Sequence, residues 1–304
     1  MREKEIMKFR GHETFFIRKG WLSKGMKYVK QNGAVFVSKD EKPMDVLGIG
    51  SNMVKSLRYW LQVAGITQEK KSGKRIQTFT PLGELIYQYD RYIEEQGTLA
   101  LLQYNLANNE DEATSWYYFF NFFKMQEFTK EDFMNSLRTW VTMQNESVNV
   151  AERSLQDDFN CIINTYLPRN KYSVKYVSPE NNIACPLGEL GLIDYVSREN
   201  KIYRKNIASP EQIPARIAWA MILSKYPNQA EISLDKLLND TGSIGRIFNL
   251  DIISLLKILR SIENMGAVKI VRTAGLDVIK VLRKETALEN IEAYYKEIWE
   301  EQGE

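Results

Sequence analysis

Residues 51–66 read SNMVKSLRYWLQVAGI. Met53, Leu57, Trp60, Leu61 and Ala64 recur at the spacing of one helical face, so the stretch predicts an amphipathic helix. Ser51 suits its N-cap and Gly65 its C-terminal stop. Asn52, Lys55, Ser56, Tyr59 and Gln62 fall on the other side, with Arg58 at the border. Upstream, GWLSKGMKYVKQNG (20–33) predicts a short helix closed by Asn32-Gly33, AVFV (34–37) a brief strand, and KPMDVLGI (42–49) a second short helix. Downstream, ITQEKKSGKRIQTFT (66–80) predicts two short extended runs around Lys-Ser-Gly-Lys. PLGELIYQYDRYI (81–93) then returns to helix, with Pro81 in the first turn. Helix, strand, helix, tight turn, helix, basic hairpin is the order of a winged helix-turn-helix.

That order carries a mechanism. The second helix of the pair lies in the major groove, and residues near its N-terminus face base edges. Asn52, Ser56, Tyr59 and Gln62 suit hydrogen bonding, and Lys55 and Arg58 suit phosphate or guanine. Lys70, Lys71, Lys74 and Arg75 would bring the hairpin against the sugar-phosphate backbone. A winged helix used for protein contacts is the competing reading.

Charge is distributed to match. Residues 1–80 hold 17 Lys/Arg against 7 Asp/Glu, residues 81–160 hold 5 against 14, and residues 161–304 hold 19 against 18. A basic N-terminal block points to nucleic acid; alternatively, the first two blocks neutralise each other within the fold.

The middle of the chain, TLALLQYNLANN, EATSWYYFFNFFKMQ, TKEDFMNSLRTWVTMQ and NVAERSLQDDFNCIINTYL, predicts acidic helices (98–167). WYYFFNFF (116–123) carries aromatics on every side of its helix, which fits a core helix better than a base-stacking platform. LPRNKYSVKYVSPENN (167–182) is the best boundary. TPLGELI (80–86) is echoed by CPLGELGLI (185–193), either a repeat or convergence on a strand-to-helix turn. From residue 208 the helices SPEQIPARIAWAMILSKY, SLDKLLND and IISLLKILRSIENMGAV precede KIVRTAGLDVIKVL, two extended runs around Ala274-Gly275. This predicts a second helix-turn-helix with a wing, with Arg246, Lys257, Arg260, Lys269 and Arg272 as its cations and DNA or protein as its target. The tail ETALENIEAYYKEIWEEQ (285–302) predicts an acidic amphipathic helix.

Most enzyme chemistry lacks its residues. His12 is the single histidine and Cys161 and Cys185 are the two cysteines, too few for a zinc site and, sitting in apolar surroundings, consistent with a cytoplasmic protein without disulfides. There is no GxSxG, no GxxxxGK[ST], and GIGSN (48–52) does not complete GxGxxG. Acid pairs at 157–158 and 110–112 are the weak basis for a metal-dependent nuclease. No apolar run reaches the roughly 20 residues of a membrane span. His12, in GHETFFIRKGWL (11–22), is expected to be structural, with Glu13 or Thr14 capping the first helix.

GHETFFIRKGWL, LGIGSNMVKSLRYWL, TPLGELI, ATSWYYFFNFF, CPLGELGLI and GSIGRIFNLD together resemble a bacterial family catalogued as a domain of unknown function. The resemblance runs from about residue 9 to residue 283. Members are encoded in defence islands beside PAPS-reductase-like enzymes and DNA-phosphorothioation genes, which implies a role in DNA sulfur modification or anti-phage defence. It carries over no catalytic residue. In the last motif Ile244 stands where the resemblance leads one to expect proline.

The expected protein is mostly α with small β wings: winged helix-turn-helix modules at both ends of an all-helical middle. The expected units are residues 1–92, 93–170, 171–207 (an extended connector) and 208–304. The expected function is a non-enzymatic, DNA-binding subunit of a modification or defence system, acting on double-stranded DNA with partner proteins, without cofactor or metal. An assembly adaptor and a transcriptional autoregulator are the alternatives, and a homodimer is compatible with each.

Overall fold

The computed structural model describes residues 7–69, 73, 75–167, 185–273 and 276–303. The chain is mostly helical with small antiparallel sheets. Helices α1 (Trp21–Gln31), α2 (Pro43–Leu47) and α3 (Ser51–Val63) lead into the hairpin β1 (Thr67–Glu69) and β2 (Gln77–Phe79), followed by α4 (Pro81–Tyr89). α3 begins one residue earlier than expected: Gly50 is its N-cap and Ser51 its first residue. Its end is as read, with Gly65 at φ 75° and the Ile66 amide donating to the Leu61 carbonyl. Thr80 caps α4 by accepting the Gly83 amide.

AVFV is not a strand. Residues 34–37 form turns, with the Val35 and Val37 amides donating to the Asn32 and Ala34 carbonyls. Val35 and Phe36 are buried, so burial rather than strand pairing explains the apolar run. One bond, from the Gln77 amide to the Gly33 carbonyl, ties this turn to β2.

Helices α5 (Gln96–Ala107), α6 (Thr114–Asn121), α7 (Lys130–Gln144) and α8 (Glu152–Tyr166) build the centre. α5 is buried on nearly every side from Gly97 to Ala107, which is why it shows no polar stripe. α6 is a core helix: Trp116, Tyr118, Phe119 and Phe120 are all buried. The middle is not wholly helical, because the short strand β3 (Glu127–Phe128) pairs with β5 (Ile202–Lys205), which also pairs with β4 (Ile193–Ser197). The Pro-Leu-Gly-Glu-Leu echo diverges in structure. Its first copy opens α4, whereas the second is a 3-10 turn, Pro186–Leu190, stopped by Gly191 at φ 61°.

A further 3-10 turn (Pro210–Gln212) precedes α9 (Ala215–Lys225), β6 (Glu231–Ser233), α10 (Leu234–Asn239), α11 (Ile244–Ile247), α12 (Ile252–Asn264), β7 (Val268–Thr273) and β8 (Leu276–Val281). The sheet runs β6-β8-β7, and β6 was not legible in the sequence. Ala274 and Gly275, read as the turn, lie outside the described residues. The last helix, α13 (Ala287–Gly303), packs on α9 and α4. Tyr294 accepts the Gly97 amide and the Tyr295 hydroxyl bonds Thr98, so α13 is fastened to the central helix by buried polar contacts. The buried apolar residues of all these elements form one continuous core.

Candidate nucleic-acid interface

α3 packs against α1 and α2 along the expected stripe, but a second side is buried as well. Residues 9–17 lie over it. The Phe15 carbonyl accepts both Ser56 Oγ (3.3 Å) and Trp60 Nε1 (2.8 Å), and the Tyr59 hydroxyl donates to the Glu112 carbonyl at 3.0 Å. Ser56 and Tyr59 are therefore buried anchors and cannot reach a base edge, which corrects their reading as DNA contacts. Burial, with nearby negative charge adding to it, pushes the Tyr59 phenol well up.

What remains exposed on α3 is a narrow ridge. Ser51, Asn52 and Lys55 face solvent at the N-terminal end. Lys55 Nζ lies 3.4 Å from Asn52 Oδ1 and 3.8 Å from a Glu13 carboxylate oxygen. Further along, Arg58 and Gln62 are half-buried and both engaged by Glu69 of β1. Arg58 donates twice at 2.6 Å and Gln62 once at 2.5 Å. The helix and its hairpin are thus joined by a forked ion pair, a geometry only arginine supplies. Glu69 was not singled out from the sequence, since it lies on the strand beyond the Gly65 turn, where helical spacing says nothing about its neighbours. Arg75 is exposed on the hairpin; Lys70, Lys71 and Lys74 lie outside the described residues. The groove beside the hairpin, about 500 Å³ and bordered by Gln62, Arg75, Asn109, Glu69 and Glu112, carries two carboxylates. The ridge, not the groove, is the surface suited to phosphate.

Part of the basic block does meet the acidic one. Lys8 pairs with Glu112, Arg10 with Asp157 and Lys30 with Glu84. Lys19, Lys39, Lys42, Lys55 and Arg75 stay exposed.

His12 is fully buried. Its Nδ1 accepts the Thr14 amide at 3.0 Å, so Nε2 carries the proton and donates to Asp158 at 2.8 Å. Asp158 also accepts the Arg10 amide and Ser115 Oγ, at 2.8 and 2.5 Å. Ser115 is bonded to the carboxylate and not to the imidazole, so this is not the order of a nucleophilic triad. The histidine stacks on Trp60 with its edge toward Trp116, centroids 6.1 and 5.6 Å away. It is a buried strut joining residues 10–14 to α6 and α8. Neither Glu13 nor Thr14 caps α1, which starts at Trp21 behind Gly20 with no side-chain cap. The loop it holds is strained, with Arg10, Glu13 and Thr14 at φ 58°, 50° and 71°. Gly11 fits because a Cβ there would sit 2.5 Å from the Tyr59 ring.

Burial raises both thiols, Cys185 to about 12, the opposite of what a nucleophile needs. Among the described residues no three His, Cys, Asp or Glu side chains converge as a metal cage. No helix among them is long and apolar enough to cross a membrane.

Two solved structures share the fold. A structure described as magnesium ion-bound SspB is 26% identical, with a TM-score of 0.79 over 97% of this chain and 87% of that one. A second SspB structure gives the same identity and TM-score over 99% and 90%. Comparison with curated proteins finds no match. The DUF4007 family, described as a protein of unknown function, matches residues 9–295. Spanning the signature loop, the ridge of α3 and most of the last helix, that match identifies the chain as a member of the DUF4007 family.

Proposed function

We propose that the chain is a non-enzymatic, DNA-binding subunit of a bacterial DNA-modification or anti-phage defence system linked to phosphorothioation. Residues 21–89 act as a winged helix-turn-helix, with α3 in the major groove and the hairpin along the backbone. The observation that carries this reading is the exposed Ser51-Asn52-Lys55 ridge at the N-terminal end of α3, flanked by the hairpin bearing Arg75. Asn52 would contact a base, and Lys55 and Arg75 phosphates. The link to phosphorothioation rests on the signature motifs, and the likeness to SspB supports reading the chain as a counterpart of that protein.

The second module favours a protein partner. Ile252 and Ile253 are exposed at the start of α12, where a DNA reader would carry polar groups. A further reading is strand cleavage assisted by a metal, and the one observation beside it is that a similar structure is described as magnesium ion-bound. Asp157 and Asp158 do not fit it, since the Arg10 guanidinium pairs with Asp157, and the Arg10 amide, His12 and Ser115 take both oxygens of Asp158.

The test is fluorescence anisotropy on a labelled duplex, plain and phosphorothioated, across a salt series, with supercoiled plasmid and magnesium in parallel. Binding that weakens with salt and leaves the plasmid intact supports the proposal. No binding at low salt refutes it, and relaxed plasmid replaces it with the cleavage reading.

A further inference from the structure

Lys205, the last residue of β5, reaches across the C-terminal end of α6. Its Nζ donates to the Phe119 and Phe123 carbonyls, each at 2.6 Å, and lies 4.4 Å from the Phe119 ring centroid. Those carbonyls have lost their helical partners, so the amine serves as a helix cap. The cap uses two of the three donors of an ammonium group and leaves one over. Its charged neighbour is another cation, Arg246 of α11. Burial first, then Arg246, pulls the Lys205 ammonium down to about 7. Arg246 is fixed in turn by a bond from Nε to the Asn239 carbonyl at 3.0 Å.

Both cations border a cavity of about 330 Å³. Lys124 stands at its edge, and Gln126, Asn239 and Asn249 add amide groups. Phe120, Phe123, Leu238 and Leu250 supply apolar wall. No carboxylate is among the described residues that line it. A structural cap alone would need neither Arg246 near Lys205 nor Lys124 on the same cavity, and cations gathered without a counter-charge are unfavourable. An anion would offset that repulsion and use the free donors.

We propose that this cavity binds a phosphate monoester carrying a planar or sugar group: a nucleoside monophosphate, or the 5′-phosphorylated end of a DNA strand. Lys124, Lys205 and Arg246 take the phosphate, and the attached group lies toward the mouth of the cavity beside Gln126, Asn239 and Asn249. The volume falls at the small end of ligand pockets, which suits one nucleotide. The cavity is built from α6, β5, α10 and α11, so the proposal does not depend on how α3 is used.

The test is calorimetric titration of the full chain with thymidine 5′-monophosphate against thymidine, and with a single-stranded oligonucleotide bearing a 5′-phosphate against the same strand with a 5′-hydroxyl. Comparing each pair cancels any binding through α3. The expected result is tighter binding of the phosphorylated member, reduced about ten- to a hundredfold by Arg246→Gln and by Lys124→Glu. Lys124 is exposed, so its substitution tests the site without disturbing the fold. Response to the mononucleotide identifies a free ligand, and response to the oligonucleotide alone identifies a strand end. Equal binding with and without the phosphate, or a preference that survives both substitutions, overturns the proposal.

Discussion

α3 and α12 are the same length, thirteen residues each, and each follows a shorter helix and precedes a hairpin. They present opposite chemistry. α3 opens with Ser51, Asn52 and Lys55 exposed; α12 opens with its cap Asp251, then Ile252 and Ile253 exposed by 40% and 63%. The cations of the second module are largely spoken for: Lys269 pairs with Glu263, Arg272 with Asp277, and Arg246 bonds Asn239. Similar element order therefore does not imply similar use. Support differs too. α12 is held by an apolar stripe of Leu255, Ile258, Leu259 and Ile262, whereas α3 also leans on a loop held by the buried His12–Asp158 strut.

That contrast can be broken at several points. Asp158→Ala leaves His12, Ser115 and the Arg10 amide without an acceptor in the core. It should cost about 3–5 kcal/mol, read from urea unfolding, and loosen the first module. Gly11→Ala forces a methyl against the buried Tyr59 ring and should cost about 1–3 kcal/mol in the same assay. Glu69→Gln weakens the hold on Arg58 and removes a negative charge near the ridge, so duplex affinity should rise by roughly threefold to tenfold. Ile253→Ser should change stability by less than about 0.5 kcal/mol, since the side chain is mostly exposed.

Lys205 gives a pH signature. Its folded pKa lies near 7 against an ordinary value of 10.5, so the unfolded chain binds more protons between those limits. The burial penalty is present in full below pH 7 and fades as pH rises toward 10.5. Wild type should gain stability relative to Lys205→Met across that window, by denaturation at pH 6, 8 and 10. A constant difference would show that the amine is not held near neutrality.

Helix positions were legible because apolar periodicity and end signals agreed, as at Gly65 and Pro81. The polar side of α3 was misread because Ser56 and Tyr59 are covered by residues some 40 positions earlier, a contact no local pattern records. One clue to the strut was present: Asp158 falls on the buried stripe of Leu155, Phe159 and Ile162, and an acid on such a stripe needs buried donors. The strand expected at 34–37 failed for another reason. Val and Phe satisfy burial as readily as pairing, and the matching position in the second module, β6, carries the less apolar Glu-Ile-Ser yet does pair.

The most direct test of the contrast is duplex binding across a salt series for wild type, for Asn52→Ala/Lys55→Ala, and for Lys257→Ala/Arg260→Ala. The first pair should weaken binding about tenfold or more and lower the salt slope by about 1, for the one phosphate contact of Lys55, while the second pair should leave both unchanged. The reverse pattern, or equal losses from both pairs, would contradict the assignment of DNA to the first module.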